Sequence, residues 1–202
     1  MPCGDWVPLG PKLVDTTFGT DKAGSYVVAI TRAPSDTSTV WVGTRRGRLF
    51  ISKNANAAAS SVSFTRIDTP AQPTRFISGI VVDPKNPYHA FVSFSGYNAY
   101  TPTTPGHVFD VLYNPSTGKA TWTDISYDLG DVPVTGIAYD APEGNLYAST
   151  DFGVTELEAG STEWDLAAPG LPPVTVYGLT ISTSGRVLYA ATHGRGAWRL
   201  NL

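Results

Sequence analysis

A chain of 202 residues with 42% hydrophobic content is long enough to bury one sizeable core or a compact array of small units. Only 15% of its residues are charged and the net charge is -3, which leaves no basic footprint for nucleic acid or an anionic membrane surface. The lone Cys3 excludes an internal disulfide and a cysteine-built metal site, and no apolar run approaches the roughly 20 residues of a membrane-spanning helix.

In chain order, CGDWVPLG at residues 3–10 reads as a short strand with no local partner, since the next strand-like run begins at Tyr26. Residues 26–70 hold YVVAITR, TVWVGT around Trp41, RRGRLFISK and SFTRI around Phe64. Residues 76–132 repeat the series with FISGIVVDP, HAFVSFS, GHVFDVLY and TWTDIS around Trp122, lengthened by the insertion GYNAYTPTTPG. Residues 133–170 give VTGIAYDA, NLYAST, FGVTELE and EWDLA around Trp164, and residues 174–202 give VYGLTIST, VLYAAT and GRGAWRLNL. Short β-branched and aromatic runs bounded by Gly, Pro, Asn and Asp predict an all-β fold. Four such strands per unit, at a period of about 40 to 50 residues, predict a β-propeller of four-stranded antiparallel blades, about four in this chain. Ala29, Gly79, Gly136 and Gly178 fall at matching places in the first strand of each unit, as expected for innermost strands where blades converge.

The fourth unit has three strands, and the opening GDWVPLGP has the shape of EWDLAAPGLP and TWTDISYDLG. Residues 1–10 are therefore expected to be an orphan outer strand, suited to closing the last blade. Three arrangements remain open: a four-bladed ring closed on itself, half of a ring completed by a second copy, or part of a longer polypeptide.

The phrases ISGIVVDPKNP, VPVTGIAYD, NLYASTDFGV, LPPVTVYGLTIS and LYAATHGRGAWRL resemble bacterial sortilin-like propellers with sialidase-type Asp-box (BNR) repeats, a superfamily that includes xyloglucanases. The resemblance covers nearly the whole chain. The Asp-box itself is degraded: NPSTGKATW keeps Gly118, Thr121 and Trp122, and EAGSTEW keeps Gly160 and Trp164. In that family this motif is a structural turn remote from any active site, so its presence does not announce catalysis. The family's rings usually carry more blades than the four this chain supplies.

By the same resemblance, the turns between second and third strands and the connections between blades emerge together around the central channel, where propellers bind ligands. Those segments carry Arg45, Arg46, Arg75, Tyr97, Asn98, Tyr100, Phe152, His193 and Arg195, which are the candidate ligand-binding residues. Aromatic faces among Arg and Asn suit carbohydrate, whose apolar ring faces stack while its hydroxyls hydrogen-bond. The Tyr97 insertion is the strongest functional signal, because it is where the repeat lengthens. Each candidate also has a structural reading: RRG as a solvated hairpin turn, the insertion as packing, HGRG as a glycine-rich turn.

Catalysis is less well supported. A glycoside hydrolase needs two carboxylates roughly 5 to 10 Å apart, and Asp128, Asp131 and Asp151, with Tyr127 beside them, are the candidates. His89, His107 and His193 lack ligand spacing, so no metal and no cofactor are expected. The sequence thus predicts a noncatalytic carbohydrate- or protein-binding module, with a fragment of a xyloglucanase- or sialidase-type glycoside hydrolase as the alternative. Scarce Lys and abundant Thr, Ser, Gly and Pro point to an extracellular or periplasmic setting, although MPCGDWVPLG has no signal-peptide pattern.

Overall fold

A computed structural model describes residues 4–182, 184 and 186–202. Cys3 lies outside the described residues. Among the described residues fifteen strands form four antiparallel sheets arranged as the blades of a β-propeller, with no α-helix and 3-10 turns at Thr16–Phe18, Ala59–Ser61 and Asn98–Tyr100. Blade 1 is β1 (Val27–Arg32), β2 (Val40–Thr44), β3 (Leu49–Ser52) and β4 (Thr65–Arg66). Blade 2 is β5 (Ile77–Val82), β6 (His89–Phe94), β7 (Val108–Asn114) and β8 (Lys119–Asp124). Blade 3 is β9 (Val134–Asp140), β10 (Asn145–Thr150), β11 (Gly153–Leu157) and β12 (Trp164–Leu166), and blade 4 is β13 (Val176–Ser182), β14 (Val187–Thr192) and β15 (Gly196–Asn201). In every blade neighbouring strands pair in sequence order, so each sheet is a meander.

The inner strands β1, β5, β9 and β13 share a one-residue bulge, at Val28, Ser78, Thr135 and Tyr177. A bulge re-aims a side chain out of the pleat. Ser78 and Thr135 use it to donate their hydroxyls to the carbonyls of Val134 and Val176 in the following blade. At the small residue after the β5 bulge the next blade comes close. A Cβ on Gly79 would stand 2.9 Å from Ser93 Oγ and 3.1 Å from Ile137 Cγ2, tighter than ordinary van der Waals contact, so a larger residue there would push on the next blade.

Three hydrophobic clusters lie between successive blades. One joins blades 1 and 2 through Trp41, Ile80, Phe94 and Phe109. A second joins blades 2 and 3 through Phe91, Ile137 and Trp164, and a third joins blades 3 and 4 through Tyr147, Val176 and Leu188. The fourth cluster is internal to blade 1 and packs Leu13 and Phe18 on Val40, Val42 and Phe50. Among the described residues no cluster joins blade 4 to blade 1, and the outward faces of both end blades are open: Ile30 on one side, Tyr177 and Tyr189 on the other, are exposed.

The N-terminal segment departs from the expectation of a strand closing blade 4. Gly4–Leu9 form no strand and Trp6 is fully exposed. The cause lies in blade 1, which holds the chain that follows. Gly10 donates its N–H to Ala59 O. The fully buried guanidinium of Arg48 donates to the carbonyls of Leu13, Asp15, Gly19 and Asp21, and the Lys22 ammonium meets the buried Asp68 carboxylate at 3.1 Å. These bonds satisfy carbonyls of a strap of chain that belongs to no sheet and has one short 3-10 turn.

Candidate functional site

In a four-stranded meander the turn from second to third strand and the exit from the fourth strand lie at the same end of the sheet. The hairpin turns Arg45–Arg48 and Asp151–Phe152, the His193–Arg195 turn, the long β6–β7 insertion and the connections between blades therefore gather on one face. The inner strands leave a hollow between them, walled in part by Thr31, Ser78 and Thr135.

On this face the tops of blades 1 and 2 frame an open groove of about 620 Å³, whose walls include Arg45, Arg46, Arg75, Phe76, Ser95 and Tyr100. Arg45 and Arg46 project from the turn that Gly47 closes at φ +78°, and a Cβ there would collide with the carbonyl of Pro73, so the close approach of the two blades requires glycine. The guanidinium carbon of Arg45 stands 6.0 Å from the ring centre of Tyr26, and Arg46 donates to Ala23 O. Neither arginine has a carboxylate partner among the described residues. Tyr100 is largely exposed and Phe76 partly so.

Arg75 forms the groove floor, but its donors are already engaged. Nε bonds Thr101 Oγ1 at 2.8 Å, Nη1 bonds Gly96 O, and Nη2 bonds Asn98 Oδ1 at 3.1 Å and Gly106 O. One buried side chain thus ties both ends and the middle of the insertion, and holds Tyr97–Thr101 in a fixed shape. His107 supports it from below with its ring fully buried: Nε2 lies 3.2 Å from Asp131 Oδ1 and Nδ1 lies 3.3 Å from Arg75 Nη1. The neutral tautomer protonated at Nε2 satisfies both contacts, donating to Asp131 and accepting from Arg75. Burial, with the neighbouring Arg75 cation adding to it, pushes the His107 pKa below its ordinary value and favours the neutral ring. Asp131 also accepts the Asn98 N–H at 2.6 Å, which joins the insertion to the connection between blades 2 and 3.

The structure therefore brings Arg45, Arg46, Arg75 and Tyr100 to one groove, with Tyr97, Asn98 and Asp131 in the loop and connection beside it. Phe152, exposed, and His193 and Arg195 stand on the turns of blades 3 and 4. His193 Nδ1 is 3.3 Å from the Tyr177 hydroxyl, and the two ring centres lie 5.5 Å apart with their planes tilted by 39°. Among the carboxylates, Asp128 accepts the Trp164 N–H at 2.8 Å and fixes the start of β12, while the neighbouring Tyr127 takes a left-handed conformation at φ 41°. Asp151 is half-buried in the β10–β11 turn and makes no side-chain hydrogen bond among the described residues. Phe76, Thr74 and Ser95 also wall the groove and were not sequence candidates. The available signal was positional: Phe76 and Tyr26 both immediately precede an inner strand.

No protein-family model matches the chain, and no curated protein matches it. Among solved structures, it is similar to the extracellular domain of a B. thetaiotaomicron protein, BT4673, described as a one-component system. The likeness has a TM-score of 0.60 at 16% identity and covers 92% of this chain but 22% of that one. This chain thus spans about a fifth of the length of that extracellular-domain chain, and at this identity what the two share is the propeller fold.

Proposed function

We propose that the chain is a noncatalytic ligand-binding module of an extracellular bacterial protein, of the sortilin-like Asp-box type, and that it takes a carbohydrate in the groove between blades 1 and 2. The observation that carries this reading is the pairing of two uncompensated arginines with the exposed rings of Phe76 and Tyr100, beside an insertion locked by Arg75 and His107. A loop ordered before binding loses little entropy when ligand arrives, which favours recognition. Aromatic faces offer sugar rings a stacking surface, and the arginines offer donors to hydroxyls or carboxylates. The similarity to an extracellular domain and the Thr-, Ser- and Gly-rich composition support the setting.

The glycoside hydrolase reading has less behind it, because Asp128 and Asp131 are both engaged in holding backbone amides. A glycan array followed by titration of the hits tests the proposal. Binding of a defined glycan class without release of product supports it. Turnover of a β-glucan or sialoside that is lost in Asp151→Asn overturns it in favour of the enzyme, and failure to bind any glycan overturns the carbohydrate assignment in favour of a protein ligand.

A further inference from the structure

In blades 2 and 3 one tryptophan locks the outer strand. Trp122 in β8 donates its indole N–H to Ile67 O at 3.0 Å, and Trp164 at the start of β12 donates to Ile125 O at 2.9 Å. Each acceptor sits just beyond the outer strand of the preceding blade. Each also donates its own N–H to that blade's third strand, Ile67 to Leu49 and Ile125 to Val108. These two outer strands, β8 and β12, therefore tie their blades to the one before.

The third member of this series lacks its tryptophan. Ala167 follows β12 as Ile125 follows β8, and it donates to Val154 in the same way, yet its carbonyl accepts no hydrogen bond among the described residues. Beside it, between the end of β12 and β15, lies a cavity of about 210 Å³ lined by Ala167, Leu171, Leu188, Ala190, Trp198 and Leu200. At about 30 Å³ per water this is room for roughly seven waters, the scale of one large side chain. The third strands β3, β7 and β11 are mostly buried, whereas β15 is exposed along nearly its whole length with its outer edge unpaired.

The segment GDWVPLGP fits this vacancy in register. In blade 3 Trp164 stands opposite Leu157, Asp165 opposite Glu156 and Leu166 opposite Thr155. The same register in blade 4 sets Trp6 opposite Leu200, Val7 opposite Arg199 and Pro8 opposite Trp198, and directs the Leu9 N–H at Ala197 O. In an antiparallel pair alternate residues point their N–H away from the partner. Since Ala167 bonds Val154, Leu166 is such a position, so Pro8 in its place forfeits no ladder bond.

The end faces of the blade array match each other as well. Ile80 and Ile137 bury against the preceding blade, and Ile30, their counterpart in blade 1, is exposed. Trp41, Phe91 and Tyr147 bury against the following blade, and Tyr189, their counterpart in blade 4, is exposed. Gly79 is pressed by Ile137, while a Cβ on Gly178 would meet nothing within 4 Å. Blade 4 thus has the surface of a blade that expects an Ile30 upon it.

We propose that a second copy of this chain completes blade 4: its residues 4–9 pair with β15, its Trp6 fills the cavity and donates to Ala167 O, and its blade 1 covers Tyr189 and Gly178. The chain then runs from an outer strand into the inner strand of the next blade, as it does from Trp122 to β9 and from Trp164 to β13. Applied reciprocally about a two-fold axis, the exchange covers the apolar end faces of both copies. The chain's own segment is not the donor: among the described residues no hydrophobic cluster joins blades 1 and 4, so the segment that leaves blade 1 at Gly10 starts from a blade that is not packed against β15.

The test combines native mass with a cross-link. The full chain is a dimer in solution, and Trp6→Ala weakens it at least about tenfold, as expected for a buried tryptophan anchor. Because Trp6 makes no contact that the isolated fold needs, this variant keeps its β circular dichroism. With Cys3→Ser, the pair Leu9→Cys and Ala197→Cys brings Cα atoms to about 5.5 Å in the proposed register, within disulfide range, and gives a covalent dimer on oxidation. A monomeric cross-linked product shows closure by the chain's own strand and overturns the proposal. So does a monomer at all concentrations, a dimer indifferent to Trp6→Ala, or no cross-link.

Discussion

The hydroxyl of Ser78 donates to the carbonyl of Val134 at 2.6 Å, and this bond between the inner strands of blades 2 and 3 is repeated one blade on by Thr135 and Val176. Both residues occupy the bulge of their strand, so the irregularity in each blade is what lets it reach the next. Ser78→Ala leaves the Val134 carbonyl without this partner, and about 1–3 kcal/mol of stability should be lost. Urea denaturation measures it, and an unchanged midpoint would show that the bond is incidental.

A second prediction concerns the strap over blade 1. Arg48→Met keeps the stem and removes the donors to the carbonyls of Leu13, Asp15, Gly19 and Asp21. Limited proteolysis should then cut within residues 12–24 before any other site, because the blades themselves keep their bonds. Cleavage within the blades first would contradict the role assigned to Arg48.

Two histidines give opposite pH dependences. In His89 the hydrogen bond to Asp110 at 3.0 Å leads and that to Asp83 at 3.1 Å adds to it, so the pKa is raised despite partial burial. Its stabilising contribution is complete below the unfolded value of about 6.5 and is lost as pH rises through the folded one. His107 is lowered by burial and by Arg75, so the unfolded chain binds more protons, and its contribution is present above about 6.5 and lost as pH falls. The destabilisation caused by His89→Asn should therefore shrink as pH rises, and that caused by His107→Asn should shrink as pH falls. Parallel urea midpoints across the range from about pH 5 to 8 distinguish the two.

Asp128 provides a contrast between support and chemistry. Asp128→Ala removes the acceptor of the Trp164 N–H and should cost about 1–3 kcal/mol while leaving glycan binding intact. Loss of binding in a variant that remains folded would move Asp128 into the ligand site.

The repeat was legible in the sequence because its causes are local. Aromatic-then-small strands such as VWVGT and LYAST, and the spacing of Ala29, Gly79, Gly136 and Gly178, are set by crowding that every blade experiences. The place of Trp6 was not legible, since a strand's partner is fixed by contacts far away in sequence. Arg75 and Asp131 were recognisable as polar loop residues, but their engagement with Thr101, Gly96 and Asn98 depends on burial, which composition does not encode. Phe76 was recognised as the start of a strand and not as a wall of the groove, because its exposure results from the open space between two blades.

Titration of a glycan hit against two pairs of variants tests the central claim most directly. Arg45→Ala and Tyr100→Ala alter the groove, whereas Phe152→Ala and His193→Ala alter the turns of blades 3 and 4. All four side chains are accessible and none is needed by the fold. The groove variants should weaken binding by about tenfold or more, as expected for loss of a stacking face or a charge-assisted hydrogen bond, and the other pair should leave it unchanged. Equal affinity in wild type and groove variants, with loss in Phe152→Ala or His193→Ala, would place the ligand elsewhere and contradict the account.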